Sequence, residues 1–468
     1  MSVFNRKTYG NVRRHSPFVT ISPVPLIFLW KSVRKRCILS SVRLHGKEVF
    51  FLSEVKNEAK LIRQFALTFF KWLLIAGITG VLGGLIGSAF HLSVGWATEL
   101  RGRLPWLLYL LPVAGLAIAG LYRLTGMESK GTNAIIDSVH SGERVPILLL
   151  PAIFLSTVLT HLFGGSAGRE GAALQIGGSL GFSIGRAFRL DDKDRRIATL
   201  SGMSAVFSAL FGTPLTATLF VLEVISVGVL YYSALVPCLV SALLALWISS
   251  LLGVEPTRFV LAAQELSAPM LLRVAVLAVL CALMSVVFCV VMHKTGELFR
   301  DKLKNSYLRA AVGGVTVVAL TLLSGTRACN GAGMDIVARA IEQGTAEPWL
   351  FALKLVLTAV TIGSGFKGGE VVPTFFVGAC FGCTLGALLG IPAGFAAAIG
   401  LICLFCGAVN CPVGSILLSV ELFGSGSLIY FALACGIAYM LSGYFGLYSS
   451  QKILYSKLRA EFININAK

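Results

Sequence analysis

Two glutamates, Glu170 and Glu370, stand in stretches of this chain that are otherwise almost free of charge. Glu170 follows Arg169 in GGSAGREGAALQIGG (164–178), and Glu370 lies in GSGFKGGEVVP (363–373). Burial in an apolar setting favours the protonated form of a carboxyl group, while a nearby positive helix end favours the ionised form. These opposing effects predict groups that gain and lose a proton during function.

The glycines around each glutamate predict a helix that is interrupted and then restarts. The first segment has four glycines before an apolar run: Gly164, Gly165, Gly168 and Gly171. Glycine permits unwound backbone, which at membrane depth is tolerated only inside protein or beside a cavity. A helix that starts there directs free N–H groups and its positive end into the cavity, and such an end attracts anions. In the second segment, Glu370 and Pro373 near a helix start repeat this arrangement.

Two interpretations of these acids are open. An acid in any first turn is favoured by the helix dipole and needs no further role. Alternatively, a cavity that holds either an anion or its own carboxylate, and releases the carboxylate on protonation, would couple anion movement to proton movement. An ionisable residue is costly at membrane depth, which favours the second interpretation.

The composition is that of a polytopic membrane protein. Hydrophobic residues make up 56% of the chain and charged residues 13%, and the mean hydropathy is +0.82. Soluble domains carry roughly 25% charged residues. Successive apolar stretches approach or exceed the ~20 residues that a membrane helix needs. We therefore expect an all-α fold with at least ten membrane helices, some of them shorter than a full span.

The positive charge is concentrated beside the predicted membrane spans. The net charge is +18, and residues 1–63 alone hold 13 Lys or Arg against three Glu. Basic flanks follow the positive-inside rule, which predicts a bacterial inner-membrane protein with both termini and the loop at 186–196 in the cytoplasm. This placement argues against nucleic-acid binding, and the first 60 residues have no signal-peptide layout. We interpret residues 1–64 as a basic cytoplasmic or interfacial extension, or as following an upstream start codon that is not used.

The cysteines do not predict a metal site or another cofactor. Eleven are present, and CFGC (380–383) and CLFC (403–406) have CxxC spacing. Both lie in apolar spans without a nearby His, Asp or Glu to complete a site. We expect these cysteines to pack between helices as small apolar residues.

An internal repeat organises the chain. GTPLTATLFVLEV (212–224) and NCPVGSILLSVEL (410–422) each place a proline nine residues before a glutamate, and these glutamates, Glu223 and Glu421, lie 198 residues apart. We interpret both acids as structural, with a direct role in transport as the alternative.

The other repeated pairs have nearly the same offset. Glu170 and Glu370 are 200 residues apart, and a third pair of segments starts at Lys130 and Asn330. Transporters are often built from two inverted-topology repeats with a site near the membrane midplane. The predicted domains are the extension at 1–64, repeats at 65–260 and 261–455, and a short cytoplasmic tail at 456–468.

These motifs resemble those of the CLC anion channels and transporters. GSAGREGAALQIG is similar to the GxxGREGP signature of that family, and GSGFKGGEVVPTFF to its GSGxxGGxFxP signature. The resemblance covers about 65–455. It implies a homodimer in the lipid bilayer whose subunits each hold an anion pathway between two inverted halves. It also implies that Glu170 is the gating glutamate and that Tyr448 lines the central site, although Tyr448 has a second interpretation as an interfacial aromatic.

Three departures from the chloride-type pattern point to the fluoride-selective subfamily. Thr132 stands where chloride-type members have a coordinating Ser, Glu370 where they have an aliphatic residue, and Val224 where bacterial antiporters have an inner glutamate. The resemblance implies a fluoride/proton antiporter that exports fluoride. Val372, however, replaces a Thr of the fluoride-type pattern GGEVTP. A chloride/proton antiporter or a voltage-gated-type chloride channel is therefore the alternative.

A site for fluoride must replace tightly held water with several close donors. Glu170 and Glu370 are the expected gating and proton-transfer groups. The expected anion-binding positions are Thr132, Asn133, Gly168, Arg169, Gly171, Gly369, Val371 and Tyr448.

Three further features allow other interpretations. Ser166 in GGSAG, with His161 upstream, fits the G-x-S-x-G elbow of a serine hydrolase, but a helix-length apolar run precedes it instead of a strand, so we expect no enzyme. Lys354 and Lys367 either draw anions inward, extend to the membrane interface or satisfy a loop. Gln175 is expected to hydrogen-bond across helices.

Overall fold

The computed structural model describes residues 47–128 and 131–468, with side chains from residue 58 onward. Residues 1–46, which make up most of the predicted extension, lie outside the described residues. The helices are α1 (Lys47–Arg103), α2 (Leu111–Leu124), α3 (Thr132–Ser141), α4 (Leu149–Leu162), α5 (Glu170–Ala187), α6 (Asp192–Phe211), α7 (Pro214–Ile225), α8 (Leu235–Leu251), α9 (Ala268–Lys302), α10 (Ser306–Ser324), α11 (Met334–Ala338), α12 (Leu350–Gly363), α13 (Val371–Leu389), α14 (Ala393–Val409), α15 (Pro412–Phe423) and α16 (Leu428–Leu441).

A small sheet accompanies the helices. It consists of β1 (Ser226–Val227), β2 (Lys452–Tyr455) and β3 (Phe462–Asn466) in that order. β1 pairs parallel with β2, and β2 pairs antiparallel with β3. These strands were not predicted, and the segment predicted as a tail (456–468) contains β3.

The helices have the lengths expected of a membrane protein with interrupted spans. Six helices of the described chain are long and apolar enough to cross a membrane, and six more apolar helices have only 10–17 residues. Two short helices end at the predicted breaks: α4 stops at Leu162 and α5 begins at Glu170, while α12 stops at Gly363 and α13 begins at Val371. The predicted broken helices are confirmed.

Glycine contacts show that the two repeats pack in the same way. A Cβ added to Gly177 in α5 would lie 2.2 Å from the carbonyl oxygen of Gly202 in α6. In the second repeat, a Cβ added to Gly378 in α13 would lie 2.4 Å from the carbonyl oxygen of Gly400 in α14. Small residues allow membrane helices to approach this closely. The backbone of each broken helix is therefore fixed against a neighbouring helix of its own half.

Glu223 and Glu421 join the two halves through a reciprocal contact. The Glu223 carboxylate accepts hydrogen bonds from the N–H groups of Val413 (3.2 Å) and Gly414 (2.7 Å) at the start of α15. Glu421 accepts equivalent bonds of 3.0 Å and 2.9 Å from the N–H groups of residues 215 and 216 at the start of α7. Each acid thereby satisfies free N–H groups at a helix N-terminus. The geometry favours the structural interpretation of both acids.

Candidate anion pathway

The two interrupted spans meet at their loops. Gly168 of the first loop and Gly369 of the second exchange two backbone hydrogen bonds, of 2.8 Å and 2.7 Å, and so form an isolated antiparallel bridge. The first loop is also bonded to Gly331, whose N–H donates to the carbonyl oxygen of Gly165 (3.0 Å). The loops before Glu170 and Glu370 are therefore one connected structure.

The N-termini of α5 and α13 converge at this bridge. A Cβ added to Gly369 would lie 2.7 Å from the backbone nitrogen of Glu170 and 2.5 Å from that of Gly171. Val371, the first residue of α13, is fully buried. The positive ends of two helices thus lie at one small region, where Gly168, Gly171, Gly369 and Val371 were predicted to bind an anion. The N–H groups of Gly168 and Gly369 are used in the bridge and are not free.

The Glu170 carboxylate folds back onto its own loop. Its Oε2 accepts a hydrogen bond from the backbone N–H of Arg169 (2.9 Å), and the Arg169 Nε lies 3.8 Å from Oε1. Oε2 lies so close to Gly168 that a Cβ there would be 2.4 Å away. Oε1 is buried and has no hydrogen-bond partner among the described residues. This buried carboxylate occupies the junction where the two helix ends meet.

Glu370 lies just before α13, and its backbone carbonyl accepts a hydrogen bond from the N–H of Thr374 (3.2 Å). Glu370 is half-buried and directly follows Gly369 of the bridge.

Tyr448 is buried, with 2% of its surface exposed, and its hydroxyl has no hydrogen-bond partner in the described part of the chain. Backbone bonds hold its loop in place: the N–H of Leu447 donates to the carbonyl oxygen of Ala408, and that of Gln451 donates to the carbonyl oxygen of Tyr448 itself. A buried hydroxyl normally finds a partner. This one is a donor available to a small anion.

Thr132 reaches the junction from the start of α3. Its hydroxyl accepts a hydrogen bond from Nε2 of Gln175 (3.1 Å) and lies 3.4 Å from the carbonyl oxygen of Gly171. The predicted bond of Gln175 across helices is therefore confirmed. Because the Thr132 proton faces a carbonyl oxygen, this hydroxyl is not a free donor.

Asn133 bonds the loop that follows Tyr448 instead of pointing a free amide at the junction. Its Nδ2 donates to Oγ of Ser449 (3.0 Å), and its Oδ1 accepts from the N–H of Ser450 (3.3 Å). Both ends of the amide are thus engaged. Asn133 positions the Tyr448 loop in this structure.

A cavity of about 680 Å³ opens onto Glu170 from one side, which we term the outer cavity. Arg101, at the end of α1, lines it, and the Arg101 guanidinium donates to the carbonyl oxygen of His161 (2.5 Å). His161 is buried; its Nδ1 lies 2.9 Å from the carbonyl oxygen of Thr157, and its Nε2 has no partner among the described residues. The sequence did not indicate Arg101, because only the fold brings it to the cavity that Arg169 also lines.

The hydrolase interpretation does not fit the structure. The segment before Ser166 is the helix α4, not the strand that a nucleophile elbow requires. The Ser166 hydroxyl lies 3.0 Å from that of Thr358, and the Ser166 N–H donates to the hydroxyl of Thr361. Ser166 thus bonds α12 of the other half, not His161.

Lys354 satisfies a loop, which was one of its three predicted roles. Its side chain is fully buried, and Nζ donates to the carbonyl oxygens of Cys329 (3.1 Å) and Gly331 (2.6 Å). Nζ also lies 5.1 Å from the centre of the Phe376 ring. A buried ammonium needs such partners.

The sequence also matches a known protein family. The model of the voltage gated chloride channel family matches residues 114–443 of this chain. The chain belongs to this family, the CLC family. The predicted membership of the CLC family and the predicted CLC fold, with two inverted repeats, are confirmed.

Individual relatives of this CLC protein differ in the ions that their names give. A chloride/fluoride channel protein of Pseudomonas syringae pv. tomato is 37% identical over 396 residues, which are 83% of this chain and 87% of the relative. An H(+)/Cl(-) exchange transporter ClcA of Vibrio campbellii is 26% identical over 396 residues, 77% of this chain and 84% of that relative.

Solved structures match the CLC fold over most of its length. A CLC-type fluoride/proton antiporter superposes with a TM-score of 0.79 at 31% identity, covering 82% of this chain and 98% of the other. A slow cyanobacterial Cl⁻/H⁺ antiporter superposes with a TM-score of 0.68 at 20% identity, covering 79% and 94%. The second match bears on the fold alone.

Proposed function

We propose that this CLC protein is a fluoride/proton antiporter that exports fluoride. The observation that carries the proposal is the pair of acids, Glu170 and Glu370, on the two loops joined by the Gly168–Gly369 bridge. The names of the Pseudomonas relative and of the superposed antiporter support the choice of ion.

The proposed anion site lies at the junction of α5 and α13. Backbone N–H groups at the two helix starts and the Tyr448 hydroxyl replace part of the hydration shell of the anion. The ionised Glu170 carboxylate occupies this region in the absence of an anion. Protonation removes its charge and its attraction to the helix ends, so the side chain leaves and an anion takes its place.

Glu370 supplies the second proton-transfer step. Val224, which is fully buried, stands where the bacterial chloride/proton antiporters have an inner acid. Glu370 follows the same bridge that joins its loop to the loop before Glu170. A proton carried by Glu370 passes the anion site without an acid at position 224.

We also propose a homodimer in the bacterial inner membrane, with both termini in the cytoplasm. The basic residues of 1–63 and of the loop at 186–196 support this orientation. Proteolysis of inside-out and right-side-out vesicles would test it, because only one vesicle type exposes the basic loop.

Side-by-side efflux of fluoride and chloride from liposomes, with the internal pH recorded, tests the function. We expect fluoride efflux to exceed chloride efflux and to be accompanied by proton uptake. Chloride exchange with proton movement, or chloride flux without it, would favour the chloride/proton antiporter or the channel. Val372, in place of the Thr of the fluoride-type pattern, is the residue that keeps this alternative open.

A further inference from the structure

A second, smaller cavity lies beside the loop that precedes Glu370. Its volume is about 40 Å³, and Tyr122, Arg309 and Lys367 line it. The Lys367 ammonium lies 4.1 Å from the centre of the Tyr122 ring. Tyr122 is 2% exposed, and neither its hydroxyl nor the Nε of Arg309 has a hydrogen-bond partner among the described residues.

This cavity and the outer cavity lie at opposite ends of the same helices. Arg101, at the end of α1, lines the outer cavity, and a short helical turn (Pro105–Leu110) links α1 to the start of α2. Tyr122 lies near the other end of α2, about 16 Å along the helix axis from its first residue. Arg309 lies in the first turn of α10, and Asn330, beyond the other end of α10, lines the outer cavity. We term the smaller space the inner cavity.

The groups that face the inner cavity are mostly donors. Lys367 and Arg309 carry positive charge, and the Tyr122 hydroxyl and Arg309 Nε are buried polar groups that need partners. Glu128 also lines the cavity, and its carboxylate accepts a hydrogen bond from Ser306 (3.3 Å). Glu128 can balance only one of the two positive charges of Lys367 and Arg309, so the lining of the cavity keeps a net positive charge.

The inner cavity has room for a small ion. A water molecule needs roughly 10–15 Å³ of such space, so 40 Å³ is enough for one small anion with a few water molecules. The loop that carries Lys367 leads within three residues to Glu370, and Gly365 of that loop also lines the cavity.

We propose that the inner cavity is a staging site for the transported anion. Lys367, Arg309 and the Tyr122 hydroxyl bind a partly dehydrated halide before it moves to the junction near Glu370. This proposal rests on the proposed anion transport. It also rests on the proposed orientation, which places the C-terminal end of α2 at the cytoplasmic face. The substrate class is a small monovalent anion, fluoride in the first instance.

Transport kinetics in liposomes test the staging site. Lys367→Met is expected to raise the half-saturating fluoride concentration about tenfold, and Tyr122→Phe about threefold, because each removes one donor to an anion. Maximal rate and the proton-to-fluoride ratio should change little, since the junction is intact. Arg123→Met is the matched control: Arg123 is exposed beside Tyr122 and stacks on Tyr307 (5.8 Å), so its charge is lost outside the cavity.

Tyr122→Phe distinguishes direct binding of the anion in the cavity from general electrostatic attraction by nearby positive charges, because this substitution leaves every charge in place. An unchanged half-saturating concentration in Tyr122→Phe overturns the proposal, as does an equal effect of Arg123→Met and Lys367→Met. If Lys367→Met does not fold, Tyr122→Phe still gives the result. If the wild type carries chloride and not fluoride, the proposed ion is wrong, and the same variants measured with chloride test the cavity separately.

Discussion

Gly168 and Gly369 are bonded to each other through both of their backbone N–H groups, at 2.8 Å and 2.7 Å. This bridge sets the distance between the start of α5 and the start of α13, and it places Glu170 and Glu370 on one rigid junction. A single pair of residues 201 positions apart therefore joins the two halves at the point where the anion is expected to bind.

Gly369→Ala should disrupt the junction. The new Cβ would lie 2.5 Å and 2.7 Å from backbone nitrogens of α5, and backbone cannot move aside as a flexible side chain can. We expect a loss of about 3 kcal/mol or more in the free energy of unfolding, together with loss of transport. Thermal unfolding in detergent and liposome flux measure the two effects.

Gly436→Ala is the control for this substitution. Gly436 lies inside α16 with no atom within 4 Å of an added Cβ. Alanine in a helix interior should be neutral or stabilise by about 0.5–1 kcal/mol. Equal stability of Gly369→Ala and Gly436→Ala would mean that the junction tolerates a wider separation than the structure shows.

Tyr448→Phe should weaken fluoride transport without weakening the fold. The hydroxyl bonds no described residue, so its removal costs the protein nothing, but it removes a donor to the anion. A hydrogen bond to a charged group contributes about 1.5–3 kcal/mol, which predicts a tenfold or greater rise in the half-saturating fluoride concentration.

Tyr430→Phe provides the opposite pattern. The Tyr430 hydroxyl donates to the carbonyl oxygen of Glu265 (2.7 Å) and accepts from the N–H of Ser267 (3.0 Å). Loss of the Tyr430 hydroxyl should lower the unfolding temperature and leave the half-saturating fluoride concentration unchanged. If Tyr448→Phe instead lowered stability and kept normal fluoride kinetics, the Tyr448 hydroxyl would not be an anion ligand.

Glu223→Gln and Glu421→Gln should each destabilise the protein by about 2 kcal/mol, because an amide has one acceptor where the carboxylate has two. Each carboxylate bonds two N–H groups at a helix start. Unfolding in detergent measures this loss, with exposed Glu461→Gln as the control. An unchanged proton-to-anion ratio would agree with structural roles, whereas a changed ratio in a stable variant would assign Glu223 or Glu421 a part in transport.

Lys354→Met should destabilise the protein by about 1–3 kcal/mol, because two buried carbonyl oxygens lose their donor. Lys294→Met is the control, since that side chain is exposed and its ion-pair partner among the described residues is Glu297 at the surface. Full stability of Lys354→Met, with a raised half-saturating anion concentration, would show that Lys354 attracts anions instead of holding the loop.

The sequence was sufficient to predict the broken helices and the residues that meet at the junction. The segments around Glu170 and Glu370 each contain glycines, an acid and a helix start, which together indicate an interrupted helix. The internal repeat predicts that these two segments lie together. Hydrogen-bond partners were less predictable. Asn133 was expected to face the anion, yet its amide is taken by Ser449 and Ser450, because the fold brings residues more than 300 positions apart into contact.

The outer cavity and the sheet were missed for related reasons. Arg101 and His161 come from different helices, and nothing in either local sequence indicates that they meet. β1 has only two residues and pairs with β2 at Lys452, so it has no alternating pattern long enough to recognise.

The most direct test of the proposed mechanism is proton uptake during fluoride efflux from liposomes that contain Glu370→Gln. Glutamine keeps the shape of the side chain and carries no exchangeable carboxyl proton. The wild type should take up protons as fluoride leaves, Glu170→Gln should lose this uptake, and Glu370→Gln should lose most of it while fluoride still moves. Full proton coupling in Glu370→Gln would contradict the mechanism, because Glu370 would then have no part in carrying the proton past the anion.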